Sequence, residues 1–224
     1  MKKRFEAFLF DLNGTMIDDM QYHLDVWFEV ITKDLGANLT REQVRIQMYG
    51  KNEEVLKRIF GESRFREFNF DAISRAKEER YQEIYRPHLD LLPGLFDFLR
   101  AAKEKDVKMA IGSAAPLFNI DFVLDNLNLR DYFQAVVSAA DVMESKPHPE
   151  VFLEAANRLG AKPSTCLVFE DAPKGVEAAA NAGMECIVVT TMHNASDFSA
   201  YPNVRQFIRD FSDPQLISDL LKVN

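Results

Sequence analysis

Five short apolar runs alternate along the chain with longer segments of helical periodicity. Runs of four or five residues that are bounded by polar or turn residues are typical of strands buried on both faces. Their alternation with helices predicts an α/β fold with a Rossmann-like, doubly wound parallel sheet. The predicted strands are Ala7–Phe10, Lys108–Gly112, Ala135–Ser138, Thr165–Phe169 and Cys186–Val189.

Prolines and glycines mark the ends of the helices predicted between these strands. Pro116 and Pro149 suit first helical turns, and Gly160 and Gly183 follow the last residues of periodic segments, as C-terminal stops do. The predicted helices span about 95–105, 116–127, 148–159 and 173–183, with a last helix at 214–222.

A long segment without strand signals interrupts this alternation after the first strand. We interpret residues 16–88 as an all-helical cap over the strand ends, inserted into a core domain made of 1–15 and 89–224. The helices predicted in it lie near 20–35, 41–48, 52–60 and 64–86.

Charge and composition limit the partners of the chain. With 27 Lys and Arg against 35 Asp and Glu, the net charge is −8, which argues against nucleic acid or an anionic membrane as a partner. No apolar stretch is long enough to span a bilayer. Cys166 and Cys186 stand alone in strand-like runs, so we expect a reduced, cytoplasmic protein. We expect it to be a monomer.

The first strand ends in Asp11 and turns at Gly14-Thr15. An aspartate at the carboxyl end of a buried parallel strand sits where open α/β sheets bind their ligands. Such a carboxylate can act as a nucleophile and carry a phosphoryl group. This placement makes Asp11 the first candidate for a catalytic residue.

Four polar segments follow or end predicted strands, and together they contain what phosphoryl transfer requires. That reaction needs a nucleophile, a divalent cation and fixed donors to the phosphate oxygens. Oxygens of Asp11, Asp171 and Glu170 suit Mg²⁺, while Ser113 and Lys146 can donate hydrogen bonds to the phosphate. The segments are Asp11–Thr15, Ile111–Ala114, Ser145–Pro149 and Val168–Gly175.

In order and spacing these segments resemble the four motifs of the haloacid dehalogenase superfamily. The likeness covers essentially the whole chain and is greatest to the β-phosphoglucomutase-like subfamily, which has a small helical cap. The other resembling stretches are Tyr22-His23 with Trp27, Ser138–Val142, Ser145–Pro147 and Glu170-Asp171.

The resemblance implies a role for each matching residue. Asp11 is the implied nucleophile of a magnesium-dependent phosphotransferase that acts on a small phosphorylated metabolite. The implied Mg²⁺ ligands are Asp11, the backbone carbonyl of Asn13, Glu170 and Asp171. The implied phosphate and substrate contacts are Ser113, the amide of Ala114, Lys146, His23 and, near Gly50 in the cap, Lys51.

Asn13 departs from the family pattern, which has a general acid/base aspartate at this catalytic position. An amide has no titratable proton near neutral pH, although its backbone carbonyl can still bind metal. A leaving group that needs no proton would fit, and His23 is an alternative proton donor.

A second departure lies in the cap, where the mutases place an arginine that binds the distal phosphate. The chain has Glu53 at this position, three residues after Gly50. This favours a phosphatase for a substrate of the sugar phosphate class over a mutase acting on a bisphosphate. A β-phosphoglucomutase-type isomerase and a phosphometabolite-binding pseudoenzyme remain the alternatives.

Overall fold

The computed structural model describes residues 5–221, and six strands in this range form one parallel sheet. The strand order is β3-β2-β1-β4-β5-β6, with β1 in the interior of the sheet. The strands are β1 (Ala7–Phe10), β2 (Lys108–Gly112), β3 (Ala135–Val137), β4 (Cys166–Glu170), β5 (Glu185–Val189) and β6 (Val204–Ile208). The predicted Rossmann-like parallel α/β fold is confirmed.

Helices of the described range lie between the strands and in the segment after β1. They are α1 (Met20–Glu29), α2 (Arg41–Gln47), α3 (Asn52–Phe65), α4 (Phe70–Tyr85), α5 (Leu95–Glu104), α6 (Leu117–Asn126), α7 (Glu150–Leu159), α8 (Pro173–Asn181) and α9 (Pro214–Leu221). A π-helical turn, Val30–Asp34, continues α1. Residue 222, the last of the predicted final helix, lies outside the described residues.

The chain divides into two compact units. Met1–Asp18 and Asp90–Asn224, of which residues 5–18 and 90–221 are described, form the sheet unit. Asp19–Leu89 forms the helical unit, which contains α1 to α4. The sequence placed the corresponding boundaries after residue 15 and after residue 88.

Side chains of different kinds cover the two faces of the sheet, because successive residues of a strand point to opposite sides. On one face Ala7 and Leu9 of β1 pack in an aliphatic cluster with residues of α7 and α8. On the other face Phe10 stacks on Phe169 of β4, with ring centroids 4.7 Å apart, and Phe211 packs against both rings. Both faces are therefore buried, as the continuous apolar runs predicted.

The sequence analysis missed the edge strand β6. Its residues alternate between exposed and more buried positions, with Arg205 and Phe207 exposed. Arg205 forms an ion pair with Glu185 of the neighbouring strand at 2.9 Å. A strand at the edge of a sheet keeps such polar positions in contact with water, so it lacks the unbroken apolar run that identified the other five.

The predicted helix at 64–86 begins too early. Residues up to Phe65 belong to α3, in which Gly61 has non-helical dihedral angles (φ 74°, ψ 159°). The following helix, α4, begins at Phe70, because the side chain of Asn69 accepts a hydrogen bond from the backbone N–H of Ala72 at 3.2 Å.

Gly94, which precedes α5, provides a test of the packing between two segments of the sheet unit. Its φ is +78°, and a Cβ atom there would lie 2.5 Å from the backbone of Phe211 and Ser212. Gly183 has a similar φ of +72° but nothing within 4 Å of such a Cβ atom. Comparing the same substitution at these two glycines therefore separates the cost of backbone strain from the cost of steric overlap.

We expect Gly94→Ala to lower the free energy of unfolding by at least about 1 kcal/mol more than Gly183→Ala. Both variants incur the left-handed backbone cost of about 1–2 kcal/mol, and only Gly94→Ala adds overpacking. Urea unfolding of both variants measures the difference. Equal losses would show that the contact between residue 94 and the 211–212 backbone is not tightly packed.

Candidate active site

The parallel register places three carboxylates at the carboxyl edge of the sheet. Phe10 of β1 pairs with Phe169 of β4, so Asp11 and Glu170 follow side by side, and Asp171 comes next along the chain. All three are buried. Each offers an oxygen, and these oxygens lie within 4.8 Å of one another. The structure thus brings together three residues that the sequence analysis selected.

Lys146 lies between two of these carboxylates. Its Nζ donates to Oδ1 of Asp11 at 2.5 Å and to Oε1 of Glu170 at 2.8 Å, and it lies 4.8 Å from the ring centroid of Phe152. Burial lowers the pKa of Lys146, but the negative charges of Asp11 and Glu170 outweigh burial and raise it. Lys146 is therefore a permanent positive charge beside Asp11.

Backbone donors and a glycine fix the position of Glu170. Its Oε2 accepts hydrogen bonds from the backbone N–H groups of Asp171 and Ala172, at 2.7 and 2.8 Å. A Cβ atom at Gly175 would lie 1.6 Å from Oε1 of Glu170, so this carboxylate occupies the space that a side chain would fill. Because Glu170 is fixed in this way, its hydrogen bond with Lys146 also fixes the position of the lysine.

The surroundings of Asp171 disfavour a negative charge. Burial raises its pKa well above the usual range, and the charges of Glu170 and Asp11 raise it further. Lys146 and a hydrogen bond from Thr15 Oγ1 to Oδ1 of Asp171, at 3.2 Å, oppose this rise. A group of three carboxylates and one lysine attracts a further cation.

Ser113 and Ala114 lie at the same edge of the sheet, directly after β2. This strand pairs with β1 in a register that sets Ile111 beside Phe10. Ser113 is buried; its N–H donates to the carbonyl of Val137 at 3.0 Å, and its Oγ accepts from the N–H of Ala115 at 3.2 Å. Ala114 is half-buried. Both therefore follow the strand that neighbours Asp11.

Asn13 and Thr15 belong to the turn that follows Asp11. Asn13 is half-buried, and the backbone N–H of Gly14 donates to the carbonyl of Ile17 at 2.9 Å. The sequence analysis assigned no role to Thr15, although its hydroxyl contacts Asp171. The available signal was a hydroxyl residue four positions after Asp11 in the same motif.

His23 and Lys51 lie in the helical unit rather than in the carboxylate group. Nδ1 of His23 is 2.8 Å from Nζ of the buried Lys77, and its Nε2 is 3.3 Å from Oδ2 of Asp19. A protonated Lys77 donates to Nδ1 of His23, although burial lowers the pKa of this lysine. Lys51 precedes α3, and its backbone N–H donates to Glu54 at 3.2 Å.

Comparison with known proteins identifies the family of this chain. The family profile described as haloacid dehalogenase-like hydrolase matches residues 5–183, so the chain belongs to this family of hydrolases. The predicted superfamily and the expectation of a hydrolase are confirmed.

Named relatives add detail to the family assignment. Fructose-1-phosphate phosphatase YqaB of Escherichia coli is 32% identical over 84% of this chain and 98% of its own. Hexitol phosphatase B of Escherichia coli is 30% identical over 85% and 86%. The crystal structure of a β-phosphoglucomutase from Clostridium difficile is 25% identical, covers 96% of both chains and has a TM-score of 0.81.

Every helix in the described part of this chain is too short or too polar to cross a bilayer.

We expect Asp171→Asn to stabilise the metal-free protein increasingly as pH rises from 5 to 8.5. Because the pKa of Asp171 is raised in the folded state, its contribution to stability is complete below the unfolded pKa and is lost as pH rises through the folded pKa. The neutral amide removes this loss, which is about 1.4 kcal/mol for each unit by which the pKa is raised.

Denaturant unfolding in the presence of a chelator measures this effect. Added Mg²⁺ serves as the control, because it should stabilise the parent chain and leave Asp171→Asn nearly unchanged. A difference between the two proteins that does not change with pH would contradict the electrostatic account of this carboxylate.

Proposed function

We propose that this chain is a magnesium-dependent phosphatase that acts on a sugar phosphate through an aspartyl phosphate on Asp11. The observation that carries this proposal is the contact of Lys146 with Asp11 inside a buried group of three carboxylates. A buried nucleophile beside a fixed positive charge suits attack on an anionic phosphate ester.

The donor set fits Mg²⁺. The ion prefers carboxylate, carbonyl and water oxygens, and the side chains of Asp11, Glu170 and Asp171 supply oxygens only. Asp11 and Asp171, with the backbone carbonyl of Asn13 and with Glu170, are the ligands that we propose. Bound there, the metal would offset negative charge on the phosphate.

Each step of the proposed reaction uses residues of the sheet unit. A carboxylate oxygen of Asp11 attacks phosphorus while the bond from phosphorus to the leaving oxygen breaks, which gives the aspartyl phosphate and a leaving oxyanion that takes a proton from solvent. Water then attacks phosphorus and loses a proton to solvent, the bond from phosphorus to Asp11 breaks, and inorganic phosphate and the Asp11 carboxylate are released. Lys146, Ser113 and the N–H of Ala114 hold the phosphate oxygens during both steps.

Asn13 limits which leaving groups depart readily. General acid–base catalysis contributes about 10²–10⁴-fold, so a sugar alkoxide that must be protonated leaves slowly when no aspartate occupies this position. Both ring nitrogens of His23 already face partners, Lys77 and Asp19. For His23 to serve as the proton donor, its Nε2 would have to part from Asp19.

Relatives and charge pairing support a sugar monophosphate as the substrate. The two relatives described above are named for phosphatases of fructose 1-phosphate and of hexitol phosphates. Glu53 forms an ion pair with Lys57 at 2.8 Å, so the nearby lysine already has an acidic partner. This pairing disfavours a second phosphate at that position.

We expect the chain to release phosphate from sugar monophosphates only when Mg²⁺ is present, and Asp11→Asn to abolish the release. Asn13→Asp should raise kcat by about 10²–10⁴-fold, because it restores a general acid. A panel of phosphorylated metabolites, assayed for inorganic phosphate with and without a chelator, measures this.

The parent chain and its two variants give three distinguishable results. Turnover by the parent identifies the leaving group that departs without an acid. If only Asn13→Asp turns over, the parent is a phosphometabolite-binding protein, and ligand-induced thermal shifts should then persist. Unchanged turnover in Asp11→Asn would overturn the proposed nucleophile.

A β-phosphoglucomutase-type isomerase is the second candidate, because the chain resembles a solved enzyme of that name. Incubation with a hexose 1-phosphate and analysis of the products separates the two reactions. A phosphatase gives free sugar and inorganic phosphate in equal amounts, and this is the result that we expect. An isomerase gives the 6-phosphate with little free phosphate.

A further inference from the structure

Thr191, which belongs to none of the four sequence motifs, contacts the backbone of the active-site turn. It follows β5 by two residues and is half-buried. Its Oγ1 donates a hydrogen bond to the backbone carbonyl of Gly14 at 2.6 Å, across 177 residues of sequence. The preceding residue, Thr190, donates through its N–H to the carbonyl of Ile208 at 2.9 Å and so anchors this loop on β6.

This hydrogen bond completes the restraint of one peptide group. The peptide between Gly14 and Thr15 donates through the Thr15 N–H to the carbonyl of Leu12 at 3.3 Å, and its carbonyl accepts from Thr191. Because a peptide group is planar, contacts at both of its ends fix its orientation. Gly14 has a φ of +76°, and glycine restrains its own dihedral angles least of all residues.

The preceding peptide group, between Asn13 and Gly14, carries the carbonyl of Asn13. The Gly14 N–H of this group donates to the carbonyl of Ile17, so in a trans peptide the Asn13 carbonyl points the opposite way. The two peptide groups meet at the Cα atom of Gly14. The Asn13 peptide is therefore joined to a group whose position is fixed by Thr191 and Leu12, so Thr191 limits how far the Asn13 carbonyl can be displaced.

The same turn also contacts Asp171. A Cβ atom at Gly14 would lie 2.2 Å from Oδ2 of Asp171, and the hydroxyl of Thr15 donates to Oδ1. A displacement of the turn would therefore change the surroundings of two groups at once: the Asn13 carbonyl and the Asp171 carboxylate.

We propose that Thr191 is a positioning residue that holds the Gly14 peptide, so that the Asn13 carbonyl and Asp171 keep the arrangement that binds Mg²⁺. This inference rests on the proposed function, because it assigns those two groups to the metal. Thr191 contacts the carbonyl of Gly14, which is not one of the proposed metal ligands, so it acts through the turn. Groups that orient metal ligands typically change metal affinity by about 10–100-fold when they are removed.

Two substitutions of Thr191 test the hydroxyl. Thr191→Val removes the donor and keeps the shape of the side chain, whereas Thr191→Ser keeps the donor and removes a methyl group. Calorimetric titration of the metal-free proteins with Mg²⁺ should show an affinity about tenfold lower or more for Thr191→Val. Thr191→Ser should bind within about threefold of the parent.

Thr165→Val is the matched control. The Thr165 hydroxyl lies 2.8 Å from the carbonyl of Lys162 and 2.9 Å from Oε2 of Glu6, at the amino end of β4 and therefore at the opposite edge of the sheet. Thr165→Val removes these contacts far from the carboxylate group and should leave the Mg²⁺ affinity within about twofold of that of the parent. Thermal unfolding of all variants reports any general loss of stability.

The outcomes separate this inference from the proposed function. Weaker Mg²⁺ binding in Thr191→Val, with recovery in Thr191→Ser, supports the positioning role. If Thr191→Val binds Mg²⁺ as tightly as the parent, the positioning role is overturned. It is also overturned if Thr191→Ser loses as much affinity as Thr191→Val. Either result leaves the phosphatase proposal standing. A parent chain that binds no Mg²⁺ overturns both proposals.

Discussion

The contact of Lys146 with Asp11 and Glu170 is the interaction on which the site depends. The register sets these two carboxylates side by side at the ends of neighbouring strands, where two buried negative charges would repel each other strongly. Lys146 lies within hydrogen-bonding distance of both. Removing one partner of a buried ion pair typically costs about 3–5 kcal/mol, because the remaining charge is left buried without a counter-charge. Loss of Lys146 alone would therefore destabilise the sheet edge as well as impair the proposed chemistry.

Glycine at two positions allows the backbone to approach this charged group closely. A Cβ atom at Gly14 would overlap with Asp171, and one at Gly175 would overlap with Glu170. Each carboxylate therefore packs directly against main chain instead of against a side chain. In such surroundings the electrostatic field comes from fixed backbone groups and from Lys146, which need little reorganisation when charge moves during a reaction.

The sequence predicted the sheet, most helices and the carboxylate group, because these depend on local patterns and on a general rule. Apolar runs identify interior strands, and parallel strands bring their carboxyl ends to one edge. The edge strand β6 was missed because Arg205 and Gln206 interrupt its apolar residues. The start of α4 was wrong because Asn69, its N-cap, was not recognised. The contact of Thr191 with Gly14 could not be predicted, since a hydroxyl in a loop far along the chain gives no periodic signal.

The position of β1 between β2 and β4 has a consequence for synthesis of the protein. Asp11 is made early, but its partner Lys146 lies 135 residues later, and β4 follows that lysine. At translation rates of about 5–20 residues per second, Asp11 waits roughly 7–27 s before Lys146 is made. During that interval β1 has at most β2 beside it, because β4 is made only after Lys146. The unpaired edge of an apolar strand is the kind of surface that chaperones shield during synthesis.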